Sequence, residues 1–186
     1  MKIIKRNDCI SCSSLLQDIH CVRDFPIYMG TTLQDKSKDL KADMVFAECV
    51  KCGCIQMRNL IPLEILYKDS HARSIGKTWM NHHQNFSDFV LKHASGRVVE
   101  VGGAHLTLAN SIQKSEDIDS ITVYDLNITG IPVSKKVKTV EGLFDHAVVK
   151  QKPDAIIHSH VIEHLYNPVS EIKRMSSLLE TAIQMP

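Results

Sequence analysis

The sequence predicts an α/β fold built on a parallel sheet, with a small cysteine-rich module in front of it. All six cysteines lie within the first 54 of the 186 residues. From Lys77 onward, helical periodicity alternates with short β-branched runs, as it does in successive strand and helix units. The run Val98–Val101 leads into Gly102 and Gly103, which is typical of a buried parallel strand that feeds a tight turn. We therefore expect a module over residues 1–58, a linker and helix over 59–95, and a sheet domain over 96–186.

The charge balance narrows the range of functions. Lys and Arg total 22 against 21 Asp and Glu, so the overall field offers little attraction to nucleic acid or to anionic lipid. No apolar run has the length of a membrane span, and the first seven residues are too short and polar for a signal peptide. We therefore expect a cytoplasmic protein without a membrane partner.

The cysteines of the module are arranged in two Cys-x-x-Cys pairs, Cys9 with Cys12 and Cys49 with Cys52. In a reducing compartment this spacing favours a metal site over a disulfide. Four thiolates close a tetrahedral Zn²⁺ site, which is structural because it leaves no open position. The spacer between the pairs is long enough for a hairpin or two, and Gly53 eases the second chain reversal.

Other interpretations of these cysteines stay open, namely a redox dithiol or simple buried thiols. Cys21 and Cys54 are expected to be spare thiols rather than ligands. A module of this size has little core, so a metal would supply much of its folding free energy.

The elements of the sheet domain follow from periodicity and from helix start and stop signals. The clearest helix covers Lys77–Ala94, and its stripe of Trp79, His82 or His83, Phe86, Phe89 or Val90, and His93 is expected to face the core rather than a cofactor. The remaining predicted elements are helices over Thr107–Lys114, Leu143–Lys150 and from Pro168, and strands over Ile121–Asp125, Lys138–Val140 and Asp154–His160. A fifth strand would begin in residues 181–186, so we expect the front part of a longer protein or a truncated copy.

The glycine turn and the next strand together indicate a nucleotide site. Asp125 ends the strand that follows the turn, 23 positions after Gly102. In nucleotide-binding βαβ units, the acid that accepts the ribose hydroxyls lies about 20 residues beyond the glycine turn. The turn lacks the pattern G-x-G-x-x-G, which argues against a dinucleotide oxidoreductase.

These features resemble the class I S-adenosylmethionine-dependent methyltransferases that carry an N-terminal zinc-binding domain, several of which act on nucleotide-linked sugars. The resemblance rests on the two cysteine pairs, the linker Leu63–Tyr67, the turn Glu100-Val101-Gly102, the acid Asp125, the pair Glu141-Gly142, and the segment Ser159–Leu165 followed by Asn167-Pro168. It implies a Rossmann-like class I methyltransferase sheet, S-adenosyl-L-methionine as cofactor, structural Zn²⁺, and a small sugar substrate.

The resemblance also implies roles for single residues. Glu100, Gly102 and Gly103 would hold the methionine part and the ribose edge of the cofactor, and Asp125 would accept the ribose hydroxyls. Leu126 and the segment Glu141, Gly142, Leu143 and Phe144 would flank the adenine, and Ser159 with His160 would lie under the sulfonium. The turn departs from alternate glycines because Ala104 and His105 follow Gly103, so the imidazole of His105 is able to enter the cofactor pocket.

The segment His158–His164 suggests a general base. Histidine titrates nearest to neutral pH and suits the removal of a proton from an alcohol or a carbon acid. Our hypothesis is that His160 or His164 is the base and that Glu163 orients it. The alternative is that His158 is a strand residue and that Glu163 and His164 are a hydrogen-bonding pair at a helix start.

Two other functions remain open at this stage. Zinc-ribbon RNA methyltransferases share the two-module plan, although the low net charge and the 5% content of aromatic residues argue against RNA. The chain could also be a non-catalytic module that binds the cofactor or a partner.

Overall fold

The computed structural model describes residues 2–27, 35–67, 76–144, 149 and 151–179. The chain divides into two compact units, residues 1–72 and residues 73–186. Among the described residues, no helix has the length and apolar character needed to cross a membrane.

The first unit is mostly antiparallel sheet. Its elements are β1 (Ile4–Lys5), β2 (Leu16–Pro26), β3 (Lys41–Cys49), β4 (Ile55–Met57), β5 (Asn59–Leu60) and the short helix α1 (Leu63–Leu66). In the part of this unit that is described, β2, β3 and β4 form one sheet in that order, and β1 pairs with β5. The long antiparallel pair β2–β3 fills the spacer between the cysteine pairs, which confirms the hairpin expected there.

The side chain of Arg58 ties the strands of the first unit together. Its Nε donates to Asp18 Oδ1 at 2.6 Å, and its terminal nitrogens donate to the carbonyls of Arg6 and Leu16 at 3.0 and 2.9 Å. The buried cluster beneath these strands is small and consists of Cys9, Leu16, Ala47 and Cys49. A core of this size contributes little free energy to the stability of the unit.

The second unit is a parallel sheet covered by helices. Its elements are α2 (Lys77–His93), β6 (Gly96–Val101), α3 (Thr107–Ile112), β7 (Ile118–Asp125), β8 (Val137–Glu141), β9 (Ala155–His158) and α4 (Pro168–Leu179). Its described strands lie in the order β8-β7-β6-β9, and every pair is parallel. Numbered along the chain, this is 3-2-1-4, the order in which doubly wound nucleotide-binding sheets begin.

Strand β6 is buried on both of its faces, as its continuous apolar pattern predicts. Val98 packs in a cluster with residues of α2 and α3, including Val90 and Ile112. On the same strand, Val99 and Val101 pack in a second cluster, with Tyr124, Phe144 and Met175. Because successive side chains of a strand point to opposite faces, this alternation places helices on both sides of the sheet.

Several predicted elements are confirmed with small changes in their ends. The helix predicted over 77–94 ends at His93, and the one predicted over 107–114 ends at Ile112. The strand predicted over 154–160 was too long, because it ends at His158 and His160 has a left-handed backbone with φ of 54°. The helix predicted over 143–150 falls mostly outside the described residues, although Leu143 and Phe144 are described and are not helical. The fifth strand predicted near 181–186 also lies outside the described residues.

Candidate functional site

The carboxyl ends of the parallel strands meet at one edge of the sheet. Val101 lies level with Tyr124 of β7 and with His158 of β9, and Asp125 lies level with Glu141 of β8. The strand order reverses beside β6, because β7 lies on one side of it and β9 on the other. In open α/β sheets, ligands bind outside the carboxyl ends at such a point. The residues that follow these strands therefore form the candidate site.

The glycines of the turn are required by packing. A Cβ on Gly103 would lie 2.6 Å from Glu100 Cδ and 2.7 Å from Val123 Cγ1. Gly102 has φ of 80°, and a Cβ there would lie 2.2 Å from Val161 Cγ2. Neither position has room for a side chain, so the backbone itself faces the edge of the sheet.

Asp125 joins the end of β7 to the turn. Its Oδ2 accepts a hydrogen bond from the backbone N–H of Ala104 at 3.1 Å, and its Oδ1 accepts one from the N–H of Asn127 at 2.8 Å. Burial raises the pKa of Asp125, and the N–H groups of Asn127, Ala104 and Leu126, together with nearby His105, act in the opposite direction. A carboxylate has about four acceptor positions, and these N–H groups account for at most three of them, so capacity remains for a further donor such as a hydroxyl.

His105 lies against the loop that follows β7. Its Nδ1 is 2.7 Å from Thr129 Oγ1, and the N–H of Thr129 donates to the carbonyl of Ala104 at 2.8 Å. The ring is half-buried. These contacts fix the bulky part of the turn to the neighbouring loop.

Glu100 is a carboxyl buried beneath the turn, with 6% of its surface exposed. Burial, together with the negative charge of Asp125, raises its pKa to about 7, despite an opposing backbone hydrogen bond at Ala109. Among the described residues, Glu100 Oε2 has no hydrogen-bond partner. Such an orphaned buried acceptor next to a turn is a feature for which a ligand donor would account.

The segment Glu141–Phe144 has one side chain in the core and another that is exposed at the candidate site. The N–H of Gly142 donates to the carbonyl of Asp125 at 2.8 Å, which holds the segment beside β7. The ring of Phe144 is buried at 5.1 Å from the ring of Tyr124, whereas Leu143 is 59% exposed. Leu126, on the β7 side, is half-buried. The exposed apolar surface of this segment is therefore Leu143 and not the Phe144 ring.

The turn after β9 brings Glu163 to His160. His160 Nδ1 is 3.3 Å from Glu163 Oε1, and both side chains are about half exposed. A hydrogen bond from its own backbone N–H, together with the neighbouring rings of His164 and His160, lowers the pKa of Glu163. Glu163 is therefore an anion near neutral pH and can accept a hydrogen bond from the Nδ1–H of His160. His164 is exposed at the end of a 3₁₀ turn over Ile162–His164.

Helix α2 contributes residues that the sequence assigned to the core. Phe86 and Val90 do pack on the core. Trp79 and His82 instead contact His160, with ring centroids 5.0 and 5.2 Å apart, and His82 Nε2 is 2.9 Å from Ser159 Oγ. The expectation that the whole stripe faces the core was wrong for Trp79 and His82, which contact the segment after β9, and for His93, which is exposed. The two histidines beside one tryptophan were the available signal.

The second candidate site is the cysteine cluster of the first unit. The four Sγ atoms of Cys9, Cys12, Cys49 and Cys52 all lie within 4.8 Å of one another. Cys9 and Cys52 are 3.7 Å apart, and Cys12 and Cys49 are 3.4 Å apart. A tetrahedral ion with Zn–S bonds of about 2.3 Å sets its sulfurs roughly 3.8 Å apart, so these four fit one Zn²⁺. Cys21 is exposed and Cys54 is half-buried.

The two pairs fold into matching knuckles. The N–H of Ser13 donates to the carbonyl of Cys9 at 2.9 Å, and the N–H of Gly53 donates to that of Cys49 at 3.0 Å. Ser13 and Gly53 are both left-handed, with φ of 57° and 70°. The chain reversal predicted for Gly53 therefore has a counterpart in the first pair, where a serine adopts the same conformation.

The environment of the cluster favours thiolate ligands at its buried end. Burial acts to raise the pKa of Cys9, but donors from the backbone of Cys12, from Gln56 and from Ser11 outweigh it and lower that pKa to about 6. The Cys54 backbone lowers the pKa of Cys52, yet its thiol neighbours Cys49 and Cys12 raise it overall. Four thiolates this close would repel one another, and a divalent cation between them would offset that repulsion.

A comparison with protein families agrees with the fold of the second unit. A family model described as a methyltransferase domain matches residues 72–183, which is more than half of the chain. A search of curated proteins found no match. The matched region contains the parallel sheet, the glycine turn, Asp125 and the His160–Glu163 pair. The chain therefore belongs to the methyltransferase-domain family.

Proposed function

We propose that the chain is an S-adenosylmethionine-dependent methyltransferase that acts on a sugar or a nucleotide-linked sugar. The observation that carries the proposal is the meeting of Glu100, Asp125 and the His160–Glu163 pair at one edge of the parallel sheet. The methyltransferase family supports the reaction and implies the cofactor. The sugar acceptor rests on the resemblance of the sequence motifs.

The residues of the turn fit this cofactor. Glu100 Oε2 is a buried acceptor without a partner among the described residues, and an ammonium group such as that of methionine would satisfy it. Asp125 keeps lone pairs for ribose hydroxyls, and Leu143 offers exposed apolar surface for a base. We infer that these residues, with the backbone at Gly102 and Gly103, hold the cofactor.

In this reaction the protein must align the acceptor with the methyl group and remove a proton from the acceptor. When bound, the cofactor supplies a methyl group already activated by the positive sulfonium. Glu163 accepts a hydrogen bond from the Nδ1–H of His160, and this tautomer leaves the lone pair on His160 Nε2. His160 Nε2 then takes the proton from the acceptor as its oxygen or carbon is methylated, and Glu163 stabilises the imidazolium.

We infer that the cysteine cluster holds structural Zn²⁺. Four protein thiolates complete the coordination of a tetrahedral ion, so no position remains for a substrate or a water. The metal would stabilise the small first unit and take no part in methyl transfer.

The cofactor assignment is tested by calorimetric titration of the full chain with S-adenosylhomocysteine. We expect the unmodified chain to bind, and we expect Asp125→Asn to weaken binding at least about tenfold, because it exchanges an anionic acceptor for an amide. Asp119→Asn is the matched control, since Asp119 is exposed near the other end of β7. Absence of binding by the unmodified chain would contradict the proposal.

The acceptor is tested with methyl-tritiated S-adenosylmethionine and a panel of nucleoside diphosphate sugars. Label should pass to a sugar, and the double variant His160→Ala, His164→Ala should lose transfer while it still binds S-adenosylhomocysteine. Undiminished turnover in that variant would remove both histidines as the base. A salt-sensitive shift of bulk RNA would instead favour an RNA substrate.

A further inference from the structure

Two side chains from the first two turns of α2, Trp79 and His82, lie at the candidate active site. Trp79 presents its ring edge-on to His160, with centroids 5.0 Å apart and planes at 70°. His82 approaches the same ring at 5.2 Å, and its Nε2 is 2.9 Å from Ser159 Oγ. Trp79 and His82 also contact each other edge-on at 5.6 Å. These side chains thus enclose Ser159 and His160 from the helix side.

The backbone of His160 needs such support. Its φ of 54° is left-handed, which costs a residue other than glycine free energy that its surroundings must offset. Its ring contacts Trp79, His82 and Glu163. Strained residues that persist in this way are concentrated at active sites.

The same part of α2 lies close to the glycine turn. His83 is half-buried, and burial, followed by the nearby His82, His105 and His160, lowers its pKa. His105 belongs to the turn and His160 to the segment after β9, so the start of α2 is near both. The helix therefore contacts the segment assigned to proton transfer and lies within electrostatic range of the turn assigned to the cofactor.

We propose that Trp79 and His82 are positioning residues for methyl transfer, which hold His160 and Ser159 against the acceptor side of the site. This inference rests on the proposed methyltransferase function. His82 fixes the Ser159 hydroxyl, and Trp79 fixes the plane of the His160 ring. Without them the base loses its orientation, while the cofactor residues on β6 and β7 remain in place.

Trp79 is the only tryptophan of the chain, so its fluorescence reports directly on this cluster. Titration of the unmodified full chain with S-adenosylhomocysteine should change Trp79 emission with the same half-saturation as calorimetry. Calorimetric binding with unchanged emission would overturn the inference and leave the proposed function intact. Absence of calorimetric binding would instead overturn the proposed function, and with it the inference.

Variants of His82 separate positioning from folding. His82→Ala should bind S-adenosylhomocysteine within about twofold of the unmodified chain and lose at least about tenfold in methyl transfer, as expected for a misplaced catalytic group. His82→Gln should recover part of the rate, because its amide nitrogen can occupy the place of Nε2.

His93→Ala is the matched control, since His93 is exposed at the other end of α2. It should keep both binding and transfer, and circular dichroism should show equal folding of all three variants. Equal transfer by His82→Ala and the unmodified chain, or an equal loss in His93→Ala, would overturn the inference.

Discussion

Glu100 illustrates how a single buried carboxyl links stability to pH. Burial raises its pKa from 4.5 to about 7 in the folded chain. Between these values the folded state binds more protons than the unfolded state, so its stability falls as the pH rises. The contribution is complete below about pH 4.5 and is lost as the pH passes about 7. A difference of about 2.5 pKa units between the folded and unfolded states changes the free energy of unfolding by an amount on the order of 3 kcal/mol across this pH range.

We therefore predict that Glu100→Gln stabilises the second unit at alkaline pH. The amide cannot ionise. The free energy of unfolding of the variant should therefore increase relative to that of the unmodified chain as the pH rises from 5 to 8. Urea unfolding followed by Trp79 emission measures the effect, because Trp79 lies in this unit. Glu116→Gln is the exposed control and should leave the pH dependence unchanged. A constant difference between Glu100→Gln and the unmodified chain from pH 5 to 8 would refute the linkage.

At the scale of elements, the two cysteine knuckles are joined by one buried amide. Gln56 is 7% exposed, and its Nε2 donates to Cys9 Sγ at 3.3 Å and to the carbonyl of Cys54 at 3.4 Å. Its Oε1 accepts from the N–H of Ile10 at 3.1 Å. In the second knuckle, the equivalent N–H of Val50 donates to the backbone carbonyl of Leu15. Gln56 thus performs with a side chain what the other knuckle does with backbone.

We predict that Gln56→Met weakens Zn²⁺ binding about 10- to 100-fold, as loss of an outer hydrogen bond to a ligand does elsewhere. Methionine keeps the volume but can neither donate to Cys9 nor accept from Ile10. Competition with a chromophoric chelator measures the affinity, and the charge-transfer bands of the Co²⁺ form report the change at the sulfur.

Gln17→Met is the matched control for this change, because Gln17 is exposed on β2 of the same unit. It should bind Zn²⁺ like the unmodified chain. If Gln56→Met kept its affinity and its Co²⁺ spectrum, Gln56 would have no role at the metal.

Local sequence patterns predicted the helices and strands well, but they did not predict which residues have unusual backbone conformations or tertiary contacts. The apolar run of β6 and the periodicity of α2 depend on burial, which repeats along an element and can be read from sequence. The left-handed backbones of Leu106 and His160 follow no periodic pattern, and neither residue is a glycine, so the sequence does not indicate them. The same limit explains Phe144, whose ring is buried against Tyr124 by tertiary packing that no local pattern encodes.

At the scale of the whole molecule, the two units have cores of different kinds. The second unit has apolar clusters on both faces of its sheet, whereas the first has a small cluster in which two of the four members are candidate metal ligands. Composition predicted this contrast, because all cysteines lie in the first 54 residues. The pairing of strands within the first unit could not be predicted from the sequence. Almost all residues of β2 are exposed, so the strand shows little alternation of buried and exposed positions.

We predict that removal of Zn²⁺ loosens the strands of the first unit. Treatment with a strong chelator should release about one zinc per chain and increase hydrogen exchange in β2 and β3, because the ligands lie just before the start of β2 and at or just after the end of β3, which pair with each other. Exchange measured by mass spectrometry tests this, with the amides of β6 and β7 as an internal reference.

Cys49→Ser provides an independent check on the chelation result. It should show raised exchange in β2 and β3 without any chelator, because it removes one ligand. Unchanged exchange in both samples would mean that the cysteine cluster does not depend on a metal.

The hydrogen bonds of Asp125 have a consequence for the entropy of binding. Its carboxylate joins the turn at Ala104 to the loop at Asn127 through hydrogen bonds made within the chain itself. A loop that must be ordered on binding lowers affinity by the conformational entropy it loses. Here that ordering is part of folding, so contacts to a ligand need not compensate for it. The same side chain assigned to the ribose therefore also makes its own binding site rigid in advance.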